Sequence, residues 1–196
     1  MIKHIPLALY VHIPWCERKC PYCDFNSHEN FDPSLENSYV DALLKDLDQQ
    51  LGWAGARELV SIFFGGGTPS LFSGDAIQRI LDGIKQRLRL AKNCEITLES
   101  NPGSAEAQKY DAYRHAGVNR LSIGVQSFEE RHLSKLGRIH SGDEAIKAIA
   151  LARSAGFDRL NIDLMYGLPD QTMEDGLLDI SCLLYTSDAA DEQFGV

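Results

Sequence analysis
The sequence contains no apolar run near the roughly 18 residues that a membrane-spanning helix requires. Nor does it open with a charged segment followed by the apolar core of a secretion signal. Basic residues are in the minority: 19 lysines and arginines face 28 aspartates and glutamates, a formal charge of -9. With no basic cluster, the footprint of a nucleic-acid binder is missing. The glycine run at Gly65–Gly67 lacks a Gly-Lys-Ser/Thr ending, so a nucleotide phosphate loop is set aside. What remains is one globular domain of ordinary apolar content (44%), expected in the cytosol with no membrane span and no nucleic-acid partner.

Cysteine is concentrated where it occurs. Three of the five cysteines, Cys16, Cys20 and Cys23, fall within eight residues in a C-x3-C-x2-C pattern. They follow Leu7 to Ile13, which reads as a buried strand, so the thiols sit on the loop leaving its carboxyl end, where α/β folds place their chemistry. A short loop can aim three thiolates at different corners of one object, and iron-sulfur clusters take ligands in such runs. Three ligands leave one iron of a [4Fe-4S] cubane open to an exchangeable group. Zinc could use the same cysteines with His12 or His28, although structural zinc sites usually pair their ligands as two separated knuckles. A disulfide leaves one of the three unpaired, and cytosolic thiols stay reduced.

Strands and helices then alternate. Asp32 and Pro33 start a helix whose apolar face is Leu35, Tyr39, Val40, Leu43, Leu44, Leu47 and Leu51. Leu59 to Phe64 reads as a second buried strand running into Gly65, Gly66, Gly67, Thr68 and Pro69, where missing β-carbons let a ligand reach the backbone. Ile77, Ile80, Leu81, Ile84 and Leu88 stripe the next helix. Glu95 to Leu98 is a third strand with Glu99 at its end, and Cys94 is a small buried residue. Ser104 is expected to cap a helix that buries Tyr110 and Tyr113 and stops at Gly117. Arg120 to Val125 is a fourth strand ending at Gln126, which either binds a ligand or ties down the loop. Capping boxes are expected at Ser127 with Glu130 and at Ser141 with Glu144. Leu160 to Leu164 is a fifth strand, and Asp163 within it needs a partner or solvent. Thr172 and Asp175 start a last helix whose pattern fails after Ile180. Five such units predict an α/β fold with parallel strands.

The cysteine spacing, with Tyr22 before the last cysteine, resembles the radical S-adenosylmethionine (SAM) signature. The flanks, YVHIPWC and CDFNS, narrow the resemblance to the HemN/HemW family of oxygen-independent coproporphyrinogen III dehydrogenases and heme chaperones. Two features favour the chaperone branch: Phe25 stands where the dehydrogenase has a further cysteine, and only fifteen residues precede Cys16. GGTP at Gly66–Pro69, ESNPG from Glu99, GVQSF around Gln126 and NIDLMYGLP around Asp163 also match, from Leu7 to about Ile180.

The resemblance implies a partial (β/α)6 barrel with parallel strands, incomplete at its C-terminus. It implies a [4Fe-4S] cluster on Cys16, Cys20 and Cys23. SAM would be contacted by Tyr10, Tyr22, Gly66, Gly67, Thr68, Glu99, Gln126 and Asp163, and Arg138 would lie near a second molecule of it. It further implies heme as cargo, a heme-acceptor protein and an electron donor. No catalytic residue and no heme ligand is assigned: His4, His12, His28, His115, His132 and His140 read as surface or structural. The alternatives are radical decarboxylation of coproporphyrinogen III in porphyrin biosynthesis and a structural cluster or zinc module. Residues 1–181 are expected to form the core domain. CLLYTSDAADE, from Cys182, is similar to the translation of a transposon adapter used in preparing sequencing libraries, so 182–196 is expected to be a non-native tail.

Overall fold
The computed structural model describes residues 5–191; His4 and the end of the expected tail, 192–196, lie outside the described residues. Five strands, β1 (Leu7–Ile13), β2 (Leu59–Gly66), β3 (Leu90–Ser100), β4 (Arg120–Gln126) and β5 (Leu160–Leu164), form one sheet in chain order, and every neighbouring pair is parallel. Helices fill the crossovers: α1 (Glu36–Ala54), α2 (Gly74–Arg87), α3 (Ser104–Ala107) with α4 (Tyr110–Ala116), and α5 (Glu130–Lys135) with α6 (Gly142–Ser154). After β5 comes α7 (Met173–Asp191). An order that always steps the same way builds the wall of a barrel, whereas a doubly wound sheet reverses direction. The expected α/β class with parallel strands is the one adopted.

The two faces of this sheet differ in chemistry. Val11, Ile13, Ile62, Phe64, Ile96, Leu98, Leu121, Ile123 and Val125 are buried in one core with Ile77, Ile80, Leu81 and Ile84 of α2 and Tyr113 of α4. Each such aliphatic side chain contributes about 2 kcal/mol by leaving water. Alternate positions carry Tyr10, Phe63, Thr97 and Arg120 side by side, and one step further Glu99, Ser122 and Asn161. Strands β1 and β2 are therefore buried on one face only, with Tyr10 56% and Phe63 36% exposed. A strand's period of two sends neighbouring side chains to opposite faces, so an apolar run cannot by itself report which face is covered.

Several local expectations are corrected. Strand β3 begins at Leu90 rather than Glu95, which puts Cys94 in its interior; the Asn119 side chain bridges to Ile96 N and Cys94 O across 2.8 and 2.9 Å. Asp32 accepts from Ser34 N, but only Pro33–Leu35 form that first turn, a 3-10 helix, before α1 begins at Glu36. Gly103, not Ser104, is the N-cap of α3, and the expected single helix is two; Lys109 between them reaches the Ser70 and Leu71 carbonyls. Gly117 ends α4 at φ 113°, as the left-handed stop requires.

The two capping boxes part ways. Ser141 and Glu144 form theirs. Ser127 instead donates to both carboxylate oxygens of Asp179 at 3.0 and 2.9 Å, and Glu130 accepts from Gly142 N, so α5 starts without a side-chain cap. Ser127 Oγ still accepts from Glu129 N at 3.1 Å, so it is the engagement of Glu130 by Gly142 that leaves the box incomplete. Helix α7, begun by the expected Thr172 and Asp175 pair, runs on to Asp191 past the point where its apolar pattern fails, and Leu177, Leu178 and Tyr185 on it are exposed. No helix among the described residues is long and apolar enough to cross a membrane.

Candidate functional site
The cysteine loop is fastened at its base before it reaches any ligand. Cys16 N donates to His28 O at 2.8 Å and His28 N to Pro14 O at 2.7 Å, closing the loop into a ring. Lys19 reinforces the closure: its ammonium donates to Phe25 O at 3.0 Å, and its backbone N–H donates to Glu29 Oε1 at 2.7 Å. Beneath lies Trp15, packed among Phe31, Tyr39 and Phe72 with ring centroids 4.7–6.0 Å away. All three thiols are free, Cys16 buried and Cys20 and Cys23 half-buried.

Against this loop lies the glycine turn. Gly67 N and Thr68 N donate to Ile13 O and Trp15 O at 2.8 and 2.7 Å. A β-carbon on Gly67 would stand 2.5 Å from Trp15 O and 3.0 Å from Cys16 Sγ; one on Gly66, at φ +124°, would meet Ile13 O at 2.8 Å. The glycines therefore let two loops close over each other at the thiols.

One cavity of about 190 Å³ opens there, lined by Cys16, Cys20, Cys23, Tyr22, Gly67, Thr68, Glu99, Gln126, Arg138 and Asp163 among others. The residues singled out in the sequence thus converge, apart from Tyr10 and Gly66, which stand outside its lining. Tyr10 pairs its hydroxyl with His12 Nδ1 at 3.1 Å and stacks on Phe63. Burial, then the charge of Glu99, pushes its phenol up. Burial likewise raises Tyr22, to about 12.

Charge in the cavity is unevenly compensated. Burial pushes the Glu99 carboxyl up, opposed by a hydrogen bond from the Gly66 backbone and reinforced by Asp163. Asp163 is clamped: Asn161 Nδ2 donates to Oδ1 at 2.7 Å and Ser122 Oγ to Oδ2 at 3.3 Å. Gln126 holds φ +71°, rare for a side-chain-bearing residue, and its carbonyl accepts from Met165 N at 2.9 Å. Arg138 donates through Nη2 to Gly124 O at 2.6 Å and Asn101 Oδ1 at 2.8 Å, and through Nη1 to Cys20 Sγ at 3.6 Å.

Sequence reasoning missed Asn101, Ser122 and Asn161. Asn101 stands inside the ESNPG match; Ser122 and Asn161 are polar residues in otherwise apolar strands, the same signal that marked Asp163. Three of the histidines are engaged by backbone carbonyls. His12 Nε2 donates to Asn26 O, so its bare Nδ1 accepts from Tyr10. His140 Nε2 donates to Val125 O, and burial, with Arg138 nearby, lowers its imidazole to about 4. His115 pairs with Asp111 O. Buried His132 lies 3.6 Å from Asp175. Among the described residues no three His, Cys, Asp or Glu side chains converge as tightly as a single metal ion demands. Both His12 nitrogens are engaged, which removes one of the two histidines that a zinc ion could have used with the three cysteines.

The sequence profile of the Radical SAM superfamily matches residues 10–179. The heme chaperone HemW of Escherichia coli (strain K12) is 54% identical over 180 residues, covering 92% of this chain and 48% of that protein. Mouse radical S-adenosyl methionine domain-containing protein 1, mitochondrial, is 42% identical over 182 residues, 92% of this chain and 41% of that one. Among solved structures, coproporphyrinogen III oxidase (HemN) from Escherichia coli superposes with a TM-score of 0.83 at 31% identity, over 92% of this chain and 42% of its own. The chain spans about half the length of the relatives it matches.

Proposed function
The chain belongs to the radical SAM superfamily, and from that premise we propose that it holds a [4Fe-4S] cluster on Cys16, Cys20 and Cys23 with S-adenosylmethionine beside it, binds heme and passes it to an acceptor protein. The observation that carries the first half is the one cavity into which three free thiols, the glycine turn, Glu99, Gln126 and Asp163 all open. A cluster held there by Cys16, Cys20 and Cys23 would, once reduced, supply the electron for cleavage of a carbon–sulfur bond of S-adenosylmethionine.

The chain's own residues position and select. Glu99, uneasy as a buried carboxylate, gains most from a cationic amine brought against it. Asp163, fixed by Ser122 and Asn161, presents a pre-oriented acceptor for paired hydroxyls at no further ordering cost. Gly67 lets the glycine turn close against Trp15 and Cys16 and so fixes that thiol beside the cavity. Gly66 steadies Glu99 from behind through its backbone hydrogen bond.

For the heme half, support comes from the likeness to heme chaperones and from Phe25, exposed on the cavity rim where the dehydrogenase carries a further cysteine. No histidine is assigned to heme. An electron donor for the cluster and a cytoplasmic setting complete the reading. Residues 1–181 are the functional core and 182–196 a dispensable tail, so deleting the tail is expected to leave cluster loading unchanged.

A second reading, radical decarboxylation of coproporphyrinogen III, is favoured by the structural likeness to HemN. Both are tested on one anaerobically reconstituted sample by measuring heme binding and S-adenosylmethionine cleavage with and without coproporphyrinogen III. Tight heme binding without porphyrinogen turnover is expected; decarboxylated product would overturn the chaperone reading.

A further inference from the structure
Arg138 is fastened from two sides. Gly124 O and Asn101 Oδ1 both accept from Nη2, which leaves Nη1 aimed at Cys20 Sγ, 3.6 Å away. Asn101 in turn donates through Nδ2 to Thr68 Oγ1 at 3.2 Å. A cluster-ligand sulfur, a guanidinium, an amide and the threonine of the glycine turn thus form one hydrogen-bonded chain. Swinging the guanidinium away would strand a carbonyl and an amide oxygen in half-buried surroundings. Among the described residues, neither the Cys16 nor the Cys23 sulfur receives such a bond.

We propose that Arg138 tunes the cluster: its Nη1 hydrogen-bonds the Cys20 sulfur and raises the cluster's reduction potential, and Asn101 is the positioning residue that aims it. The inference rests on reading Cys16, Cys20 and Cys23 as cluster ligands. An added electron increases negative charge on the ligand sulfurs, so a fixed cation and donor at one of them stabilises the reduced state more than the oxidised one. Arg138 also lines a neighbouring cavity of about 310 Å³ with Arg18, Asn101 and Glu106.

The test is a redox titration of the reconstituted chain followed by electron paramagnetic resonance, without S-adenosylmethionine. Arg138→Gln is expected to lower the potential, Arg138→Lys to lower it less because the charge survives without the planar fork, and Asn101→Ala to lower it while Arg138 is intact. An unchanged potential in Arg138→Gln with the cluster present would overturn the inference and leave the proposed function standing. Failure of the unsubstituted chain to load a cluster would overturn both. Should the variants not load, pulsed resonance on unsubstituted protein carrying isotope-labelled arginine is expected to show an arginine nitrogen coupled to the reduced cluster; no coupling would overturn the proposal.

Discussion

The two flanks of the cavity are held by different forces. On the β1–β2 flank, the cysteine loop and glycine turn are joined backbone to backbone and seated on the rings of Trp15, Phe31, Tyr39 and Phe72. On the β5–α7 flank, α7 is fastened by carboxylates: Asp179 takes Ser127 Oγ and Phe128 N, and Asp175 takes Arg131 and Thr172 N. Its leucines Leu177 and Leu178 face outward. Close packing holds the thiol flank, whereas a polar clasp leaves the other flank dependent on charge and pH.

The contrast is broken most severely at the glycine turn. Gly67→Ala puts a methyl against Trp15 O, and loss of about 3 kcal/mol in urea denaturation is expected, together with failed cluster loading. A loss below about 1 kcal/mol would mean the loops are not in close contact. Next comes Asp179→Ala, which leaves a buried hydroxyl and a backbone N–H unpartnered on the other flank; about 2 kcal/mol is expected, with faster hydrogen exchange confined to α7 and the 127–129 turn.

A pH experiment sharpens the same comparison. Burial raises Glu99, so its ionised form weighs against the fold; the penalty is absent in acid and grows as pH rises from the ordinary glutamate range through that raised value. Glu99→Gln is therefore expected to raise the melting temperature at pH 7 and to leave it nearly unchanged at about pH 3. Asp175 is the reverse: the Thr172 backbone N–H, then its hydroxyl, hold its carboxyl low, so its contribution is present at neutral pH and lost as pH falls through that lowered value. Asp175→Asn should lower the melting temperature at pH 7 only. The smallest effect is expected at Leu178→Ser, within about 0.5 kcal/mol, since that side chain is exposed.

The same contrast explains what could be read in advance. Strands β1 and β5 begin and end where their apolar residues do, and the cysteine, glycine and strand-end motifs meet in one cavity because parallel βα units deliver every strand's carboxyl end to one side. What escaped was set by partners distant in sequence. Ser127 and Ser141 carry the same local signature, yet only Ser141 forms its box, because Gly142, 12 residues away, claims the Glu130 carboxylate while Asp179, 52 residues away, accepts from the Ser127 hydroxyl. Asn101 is likewise defined by Arg138 and Thr68, 37 and 33 residues off. Local rules cannot register a competitor that arrives only on folding.

The central claim, that the cysteine loop and the strand ends form one site, is tested most directly by the paramagnetic resonance spectrum of the reduced cluster before and after adding S-adenosylmethionine. A shared site predicts a changed spectrum in the unsubstituted chain and a weakened change in Asp163→Asn, whose carboxylate lies across the cavity from the thiols. A cluster whose spectrum ignores S-adenosylmethionine would contradict it.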